Sequence, residues 1–495
     1  MKYAMGSLRF SLDEDGEPYY QQLITQIQQG IVSGELSVGD KLPSTRFLAE
    51  SLGVSRSTTS RAYDQLLAEG VLISKEKRGV FVSSLPMVGR RKPSLDDKRT
   101  SQFKSQRQQA KKLSFDAGVD VSVFPTKEWA TSMRRSWLNP DLDLLQGGYP
   151  TGYPDLKEAI VDYLYRVRGL ECTVEQIIVT AGNRDSLILL QHAITSLLEP
   201  QLSETAKKRA VTWWLESPTY PPMREVLSQN NIHNIVIDED GPCLPEDAAI
   251  NVGIITPNRQ YPLGTNISSK RRQEWLQKLQ QSSSEWWLVE DDYDNEFVYQ
   301  GRSDVPFMQT ASIHETARDR MFFVGSFSKV LFRGLRLGFI VAPLKHLDLV
   351  RQSQATLGSS SSLPIQPAVA DFMLQGSFDR HINRMRRHYR IKRDFLLALL
   401  DDKLSEWFDW KKPRGGMHIL IEFKADVLRA FPKTCLDARI ASELQLRNVC
   451  FFTLSSHYVD QPSPQQGFLL GFSGPSELTM SKMVDELENW LRNSL

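Results

Sequence analysis

A small helical unit closed by a β-hairpin, followed by a large α/β domain, is the fold class that this sequence predicts. Three observations predict it. The chain has 495 residues, beyond the ~250 to 300 at which a single core stops growing, so two or more units are expected. Its first eighty or so residues carry apolar positions at three- and four-residue spacing, and beyond residue 114 strand-like and helix-like stretches alternate. An aperiodic basic stretch separates them, giving expected bounds of 1–83, 84–113 and 114–495.

Composition narrows the functions available. Hydrophobic residues make up 41% and charged residues 24%, ordinary for a globular chain, so general disorder is excluded. The formal net charge is only +1, so any nucleic-acid binding must come from a local basic surface. Cys172, Cys243, Cys435 and Cys450 are far apart without metal-like spacing, which predicts free thiols in a reducing compartment and no metal site. There is no apolar leader and no run of 18 apolar residues, so the expectation is a cytoplasmic protein with no membrane partner.

In the first unit Tyr20, Leu23, Ile24, Ile27 and Ile31 mark one face of a helix that stops near Gly34. A second helix follows within residues 42–52, with Ser44 as its N-cap, and Gly53 permits a sharp turn to Ser55, which caps a third helix over 56–69. That helix buries Ala62, Tyr63, Leu66 and Leu67 and ends at Gly70; residues 71–73 and 80–82 then read as the strands of a wing. At its N-terminal end stand Ser55, Arg56, Ser57, Thr58, Thr59 and Arg61. Small hydroxyls and arginines there suit base edges and phosphates; a three-helix scaffold with solvated polar ends would carry them too. Ser33-Gly-Glu-Leu36, Gly39-Asp-Lys-Leu-Pro-Ser44, Leu52-Gly-Val-Ser-Arg56 and Ala62-Tyr-Asp-Gln-Leu-Leu-Ala-Glu-Gly70 resemble the winged helix-turn-helix of the GntR regulators. The resemblance implies double-stranded operator DNA as partner, met by Arg46, Ser55, Arg56, Ser57 and Ser60 from the helices and by Arg78 and Gly79 from the wing. Ser60 stands where some relatives have an arginine.

The stretch that follows gathers Arg90, Arg91, Lys92, Lys98, Arg99, Lys104, Arg107, Lys111 and Lys112 against Asp96 and Asp97, and reads as a flexible basic tether. It would add sequence-independent phosphate attraction or act as a plain solvated spacer.

In the large domain, residues 176–180 precede a helix at 185–198 and residues 252–255 precede one at 270–281. Such alternation predicts a parallel sheet flanked by helices, with ligands at the strand C-terminal ends. Four of those ends carry chemistry. After residues 177–180, Gly182 opens a helix whose Asn183 and Arg184 amides would cradle a phosphate. Tyr220, ending Glu216-Ser-Pro-Thr-Tyr220, suits a flat ring, or is a core tyrosine. In residues 286–297 Asp291 and Tyr293 project to one face and Glu290 and Asp292 to the other; a carboxylate with a phenol two residues on suits a pyridinium nitrogen and its neighbouring phenolic oxygen, or is a satisfied acidic cluster. The apolar strand 321–324 delivers Lys329, with Ser326, Ser328 and Arg336 as hydroxyl and cationic neighbours. The commonest cofactor use of such an amine is a Schiff base to pyridoxal phosphate; a solvated lysine in a Ser/Gly turn is the other reading.

Pro150-Thr-Gly-Tyr-Pro-Asp-Leu-Lys157, Thr256-Pro-Asn-Arg-Gln-Tyr-Pro-Leu-Gly264, Glu290-Asp-Asp-Tyr-Asp-Asn-Glu-Phe297 and the Lys329 segment resemble the fold-type I, class I aminotransferases. With the winged helix in front, the chain looks like the MocR/GabR-type regulators. The resemblance implies Lys329 as the aldimine lysine, Asp291 as the pyridinium partner, Tyr293 as donor to the phenolic oxygen and Tyr220 as the stacking ring. Ser326, Ser328, Arg336 and the amides of Asn183 and Arg184 would hold the phosphate, and Gln260 or Asn258 would replace the asparagine that touches the cofactor in aminotransferases. It further implies a smaller α+β subdomain at the C-terminus, a domain-swapped homodimer and a regulator that senses an amine, amino acid or related effector; an active aminotransferase, or a sensor of pyridoxal phosphate itself, are the alternatives. The chain departs from the enzymes at Leu469, where they carry a substrate-gripping arginine, at Gly147, where a tyrosine reaches the partner's phosphate (Tyr149 is nearby), and at Arg333, in place of a proline. Arg224, Arg259 and Arg333 remain as other anion contacts, and His418 in Gly415-Gly-Met-His418 reads as structural.

Overall fold

Residues 2–5, 8–13, 16–76, 78–84, 113–197, 211–281, 285–358, 361–431, 435–459 and 463–494 are described by the computed structural model. The chain divides into two compact units, Met1–Gln109 and Ala110–Leu495. The basic residues from Arg90 to Lys112 lie outside the described residues.

The first unit opens with β1 (Lys2–Met5) paired antiparallel to β2 (Leu8–Ser11), a hairpin ahead of the periodic pattern that begins at Pro18. The Gln26 side-chain amide pins it by taking the place of a neighbouring strand: its Oε1 accepts from the Ser11 amide at 2.9 Å and its Nε2 donates to the Ser11 carbonyl at 2.7 Å. Helices α1 (Tyr19–Val32), α2 (Thr45–Leu52) and α3 (Arg56–Ala68) follow. Local chemistry sets their ends. Ser44 Oγ accepts from the Phe47 amide and Ser55 Oγ from the Thr58 amide, each at 3.2 Å, while Gly53 closes α2 at φ +63°, a conformation costly for other residues. The wing is β3 (Leu72–Lys75) antiparallel to β4 (Gly79–Val82). Leu23, Ile27, Leu48, Leu52, Ala62, Tyr63, Leu66, Leu72 and Val82 form the core.

The second unit begins at β5 (Leu113–Ser114). Its large sheet contains β6 (Ile177–Thr180), β7 (Val211–Ser217), β8 (Asn231–Asp238), β9 (Gly241–Pro242), β10 (Ile250–Ile255), β11 (Glu285–Asp292), β12 (Met321–Ser326) and β13 (Gly338–Val341), in the order β6-β13-β12-β11-β10-β7-β8-β9. Neighbours from β12 across to β8 are parallel, but β13 runs antiparallel to both β12 and β6, and β9 antiparallel to β8. The wholly parallel sheet expected from alternation is therefore corrected to a mixed one. The reason is the connection: a parallel return needs about a dozen or more residues and usually a helix, whereas residues 327–337, which carry Lys329, hold only a single 3-10 turn at Arg333–Leu335. Both faces are apolar. Trp275, Trp286, Leu288, Phe323 and Phe339 pack on one, Trp213, Val252, Trp287, Phe322 and Ile340 on the other.

The smaller subdomain contains β14 (Phe408–Trp410), β15 (His418–Phe423), β16 (Val449–Cys450), β17 (Phe452–Thr453) and β18 (Gly467–Gly471). Four of them form an antiparallel sheet ordered β14-β15-β18-β17, and β16 pairs in parallel with β5. Helices Ser377–Lys403 and Glu477–Ser494 cover it through Leu396, Leu400, Met483, Leu487 and Trp490. The entry segment stays on this subdomain past β5, since the Phe115 carbonyl accepts from the Gly471 amide at 3.3 Å and the Asp116 carbonyl from the Gly474 amide at 3.2 Å.

Candidate functional site

Sheet register aligns the strand ends expected to carry chemistry. Gly338 lies opposite Thr180 on one side and Ser326 on the other, and Asp291 and Asp292 lie opposite Val324 and Gly325. The helix Asn183–Thr195, the Lys329 loop and the end of β11 therefore converge at one end of the sheet. A side chain at Gly338 would place its Cβ 2.8 Å from Gly182 Cα, so glycine there lets β13 approach the start of that helix.

Lys329 is half-buried and its Nζ donates to the Ala117 carbonyl at 3.0 Å. Burial, then the Arg333 cation, lowers its pKa; Asp294 and Asp116 work in the opposite direction. Asp291 is buried and accepts at Oδ1 from Asn183 Nδ2 at 2.5 Å. Burial, then the charges of Asp292, Glu216 and Asp294, pushes its carboxyl up to about 8, with the Asn183 bond pulling the other way. The helix beginning at Asn183 has no side-chain cap, and among the described residues the amides of Asn183 and Arg184 have no acceptor. The Arg184 side chain turns outward to Glu225 at 2.7 Å. Arg336 is exposed, has no hydrogen-bond or ion-pair partner among the described residues, and sits at φ +50°, an uncommon conformation for a residue with a Cβ. The Ser326 hydroxyl accepts from the Ser328 amide at 3.2 Å.

An aromatic wall stands on the other side. Tyr220, 49% exposed, meets Tyr261 edge-on at 5.6 Å, and Tyr261 meets Tyr293 at 5.6 Å, His418 at 5.4 Å and His457 at 5.5 Å. The Tyr293 hydroxyl donates to the Arg259 carbonyl at 3.2 Å. His418 Nε2 donates to the Pro262 carbonyl at 3.0 Å, and burial pushes this imidazole down to about 4, so it is neutral and structural. Gln260 and Asn258 are both buried and bonded to distant backbone, Gln260 Nε2 to Pro218 O at 2.8 Å and Asn258 Nδ2 to Asp304 O at 3.2 Å.

Three pairings were not legible in the sequence. Asp294 is buried and pairs with Arg259 Nη2 at 3.1 Å, though neither carboxylate oxygen has a hydrogen-bond donor. Asp292, on the face opposite Asp291, pairs with the buried Arg168 at 2.6 Å. Asp116 and Ala117 reach the lysine loop from the entry segment, Asp116 through Arg333 at 2.5 Å. Asp294 lies in an acidic run that the sequence displays, whereas the partners Arg259, Arg168 and residues 116–117 carry no local signal. At Leu469 the side chain is buried with Leu454 and Tyr458 and packs on Tyr261, Leu263 and Leu420. The Gly147 position is a helix end at φ +76°, and the nearby Tyr149 hydroxyl bonds to Asp141.

In the first unit Arg56 and Ser57 are exposed in the first turn of α3, Ser55 is exposed with its hydroxyl used as the cap, and Ser60 is half-buried. Arg46 is exposed and pairs with Glu50 at 3.1 Å, and Arg78 and Gly79 are exposed on the wing. Arg61 stacks on the Tyr20 ring, 3.9 Å from its centroid.

These residues fit pyridoxal phosphate. An uncapped helix start with two amides lacking acceptors, beside an unpartnered arginine, suits its phosphate. Asn183 Oδ1 is buried without a partner next to the Asp291 carboxyl, a polar site that a ring nitrogen completes, and Lys329 is an amine whose neutral form burial favours. Among the described residues no group of three His, Cys, Asp or Glu side chains is placed to hold a metal, and no helix is long and apolar enough to cross a membrane.

Comparison with known proteins agrees. Residues 19–82 match the bacterial regulatory proteins of the gntR family, and residues 117–456 match the aminotransferase class I and II family. The chain is 32% identical over 500 residues to the probable rhizopine catabolism regulatory protein MocR of Rhizobium meliloti, covering 97% of this chain and 95% of that one. It is 29% identical to the pyridoxine biosynthesis transcriptional regulator PdxR of Corynebacterium glutamicum, covering 94% and 95%. An archaeal alanine:glyoxylate aminotransferase superposes with a TM-score of 0.66 at 20% identity over 81% of this chain and 95% of that one. The Pyrococcus horikoshii kynurenine aminotransferase does so with 0.65 at 18% over 83% and 100%; these two show the shared fold. The aminotransferase class implies pyridoxal phosphate as cofactor. The chain belongs to the MocR-type GntR transcriptional regulators, in which a DNA-binding winged helix is fused to an aminotransferase class I and II domain.

Proposed function

We propose that this regulator holds pyridoxal phosphate on Lys329 and uses it to sense an amine, an amino acid or a related effector, which alters operator binding. The observation that supports this reading best is Leu469. It stands buried among apolar side chains, where the resemblance calls for a carboxylate-gripping arginine, while Lys329, Asp291 and the uncapped helix start at Asn183 offer groups that suit the cofactor. A site able to hold the cofactor without the enzyme's grip on substrate suits recognition over turnover.

When bound, the cofactor supplies an electrophilic carbonyl for amines and an electron-withdrawing ring. The remaining work falls to the chain. Asp291 would share a proton with the ring nitrogen, and Asn183, bonded to it at 2.5 Å, would orient it. Arg336, Ser326, Ser328 and the Asn183 and Arg184 amides would hold the phosphate, Tyr220 would cover the ring, and Tyr293 would exchange its bond to the Arg259 carbonyl for one to the phenolic oxygen. Lys329, with its pKa lowered by burial, releases its proton more readily than an exposed lysine. On the DNA side Arg46, Ser55, Arg56, Ser57, Ser60, Arg78 and Gly79 would form the contact surface.

A cytoplasmic, domain-swapped homodimer completes the reading. Its support is the family resemblance and an exposed apolar run, Leu138, Leu142 and Leu145, suited to cover by a second copy. The test is operator binding by the full chain with and without pyridoxal phosphate, across a panel of amines and amino acids, with absorbance of the bound cofactor followed in parallel. At least one compound should shift both. If operator affinity ignores cofactor removal and every compound, the reading fails.

A further inference from the structure

We infer that Arg333 receives the carboxylate of an amino-acid effector and that Asp116 occupies it until one arrives. This rests on the effector-sensing reading and names the effector's chemical class: an amine that also bears a carboxylate.

The first step is elimination among the cations near the site. Leu469 is buried in an apolar cluster. Arg224 spends Nη1 on the Tyr458 carbonyl at 2.8 Å and Nη2 on the Ser456 carbonyl at 2.7 Å, which anchors the loop carrying His457. Arg259 is buried and neutralises the buried Asp294; withdrawing it would strand a carboxylate away from water, a severe penalty. Arg336 is exposed and, in the reading above, would be taken by the phosphate. Arg333 differs from all of these. It is held by one side chain, Asp116, at 2.5 Å, and the two are 58% and 42% exposed. Replacing one carboxylate by another on an exposed guanidinium loses little, because such a pair contributes little net energy to begin with.

The second step is position. Arg333 shares a short loop with Lys329, and the two meet consecutive residues of the entry segment, Lys329 Nζ the Ala117 carbonyl at 3.0 Å and Arg333 the Asp116 carboxylate at 2.5 Å, so a ligand whose amine reaches Lys329 has this cation within reach of its acid group. The pair is seated on Gly118, where a Cβ would fall 3.0 Å from Asp116 Oδ2 and 3.2 Å from Arg333 Cζ. A larger residue there would push the guanidinium aside. The residue that departs from the enzyme pattern at 333 and the carboxylate brought from a distant segment thus form one unit, an internal stand-in for the ligand's acid group.

The experiment compares matched compounds, each amino acid against the amine formed by its decarboxylation, on the full chain loaded with pyridoxal phosphate. Affinity is read from cofactor absorbance and, separately, from the shift in operator binding. The wild type should favour the amino acid by roughly two- to fivefold, the scale that one exposed ion pair supplies. Arg333→Gln should bring that ratio towards one, and Asp116→Asn, which removes the competitor, should raise it. Both changes are at exposed positions, and melting curves will confirm folding. An unchanged ratio in Arg333→Gln, or a lower ratio in Asp116→Asn, overturns the inference. A wild type that answers amine and amino acid equally overturns this inference alone; one that binds the cofactor and answers neither overturns the sensing reading with it.

Discussion

Asn183 donates from Nδ2 to Asp291 Oδ1 at 2.5 Å, joining the first residue of a helix to the end of β11. The bond opposes a larger effect. Burial and three neighbouring carboxylates raise the Asp291 carboxyl from 3.8 to about 8, so near neutral pH the cofactor-free native state keeps a proton that the unfolded chain has released. Where the native state binds more protons, stability falls as pH rises. This contribution is fully present below about pH 4 and is lost as pH climbs through about 8. Asp291→Asn, which cannot ionise, should stabilise the cofactor-free protein relative to wild type at pH 8, with the gain shrinking towards pH 4, while weakening pyridoxal phosphate binding. Urea unfolding at a series of pH values measures the first effect and absorbance titration the second. A difference between the two proteins that does not vary with pH sinks the argument.

Lys329 should be the single point of covalent cofactor attachment. Borohydride reduction of the loaded protein should fix the label on the peptide containing residue 329, and Lys329→Ala should lose the fixation. Because burial and Arg333 lower this amine's pKa, attachment should proceed at a lower pH than for free lysine. Mass spectrometry of the reduced digest decides; a label on another lysine rejects the assignment.

Arg168 and Asp292 form a buried pair at 2.6 Å beneath the site. Removing one member strands the other, a loss of about 3–5 kcal/mol for buried pairs, so Arg168→Ala should destabilise the protein by that order. Replacing both by apolar residues should cost less than the single change. Denaturant midpoints of the single and double variants test this, and a double variant less stable than Arg168→Ala contradicts it.

Much of the fold was legible because its signals are local. Ser44, Gly53 and Ser55 mark helix ends by their own chemistry, and all three act at those ends. Alternation in β11 was legible too: Asp291 meets Asn183, while Glu290 turns the other way and accepts from the Phe307 and Met308 amides, each at 2.8 Å. The antiparallel β13 was not legible, since its hydrophobic pattern is the same in either direction and only the length of the Lys329 loop distinguishes them. Nor were Ala117 and Asp116, which lie over two hundred residues from Lys329 and Arg333; no periodicity announces which carbonyl or carboxylate a distant fold will deliver. The same holds for Arg259, whose buried role depends on Asp294 and on the space left by Gly415 and Gly416.

Arg56, exposed in the first turn of α3, should contact a base edge or phosphate. Arg56→Ala should weaken operator binding by roughly 1–3 kcal/mol and leave cofactor content unchanged. Trimming the basic cluster between Arg90 and Lys112 should instead flatten the salt dependence without altering sequence preference. Fluorescence anisotropy with operator and scrambled DNA over a salt series separates the two, and operator binding unaffected by Arg56→Ala at every salt concentration removes this residue from the surface.

The last prediction concerns turnover. An enzyme accelerates chemistry by holding the transition state more tightly than the substrate, and the arginine that the resemblance implies for gripping substrate is here Leu469, which packs against Leu454, Tyr458 and Tyr261. A regulator needs something different. Its ligand must favour one arrangement of the protein over another, because a ligand shifts an equilibrium only by its differential affinity for the two states. Once free of the cofactor, Lys329 would donate to the Ala117 carbonyl, the bond seen at 3.0 Å, and so would change how the segment entering this domain is held. The expected outcome is an effector that alters operator affinity several-fold with little keto-acid production. Steady-state keto-acid release with common amino donors, measured beside operator binding on the same preparation, is the deciding experiment. Rapid multiple turnover, with operator affinity indifferent to every amine and to cofactor removal, would identify a working aminotransferase.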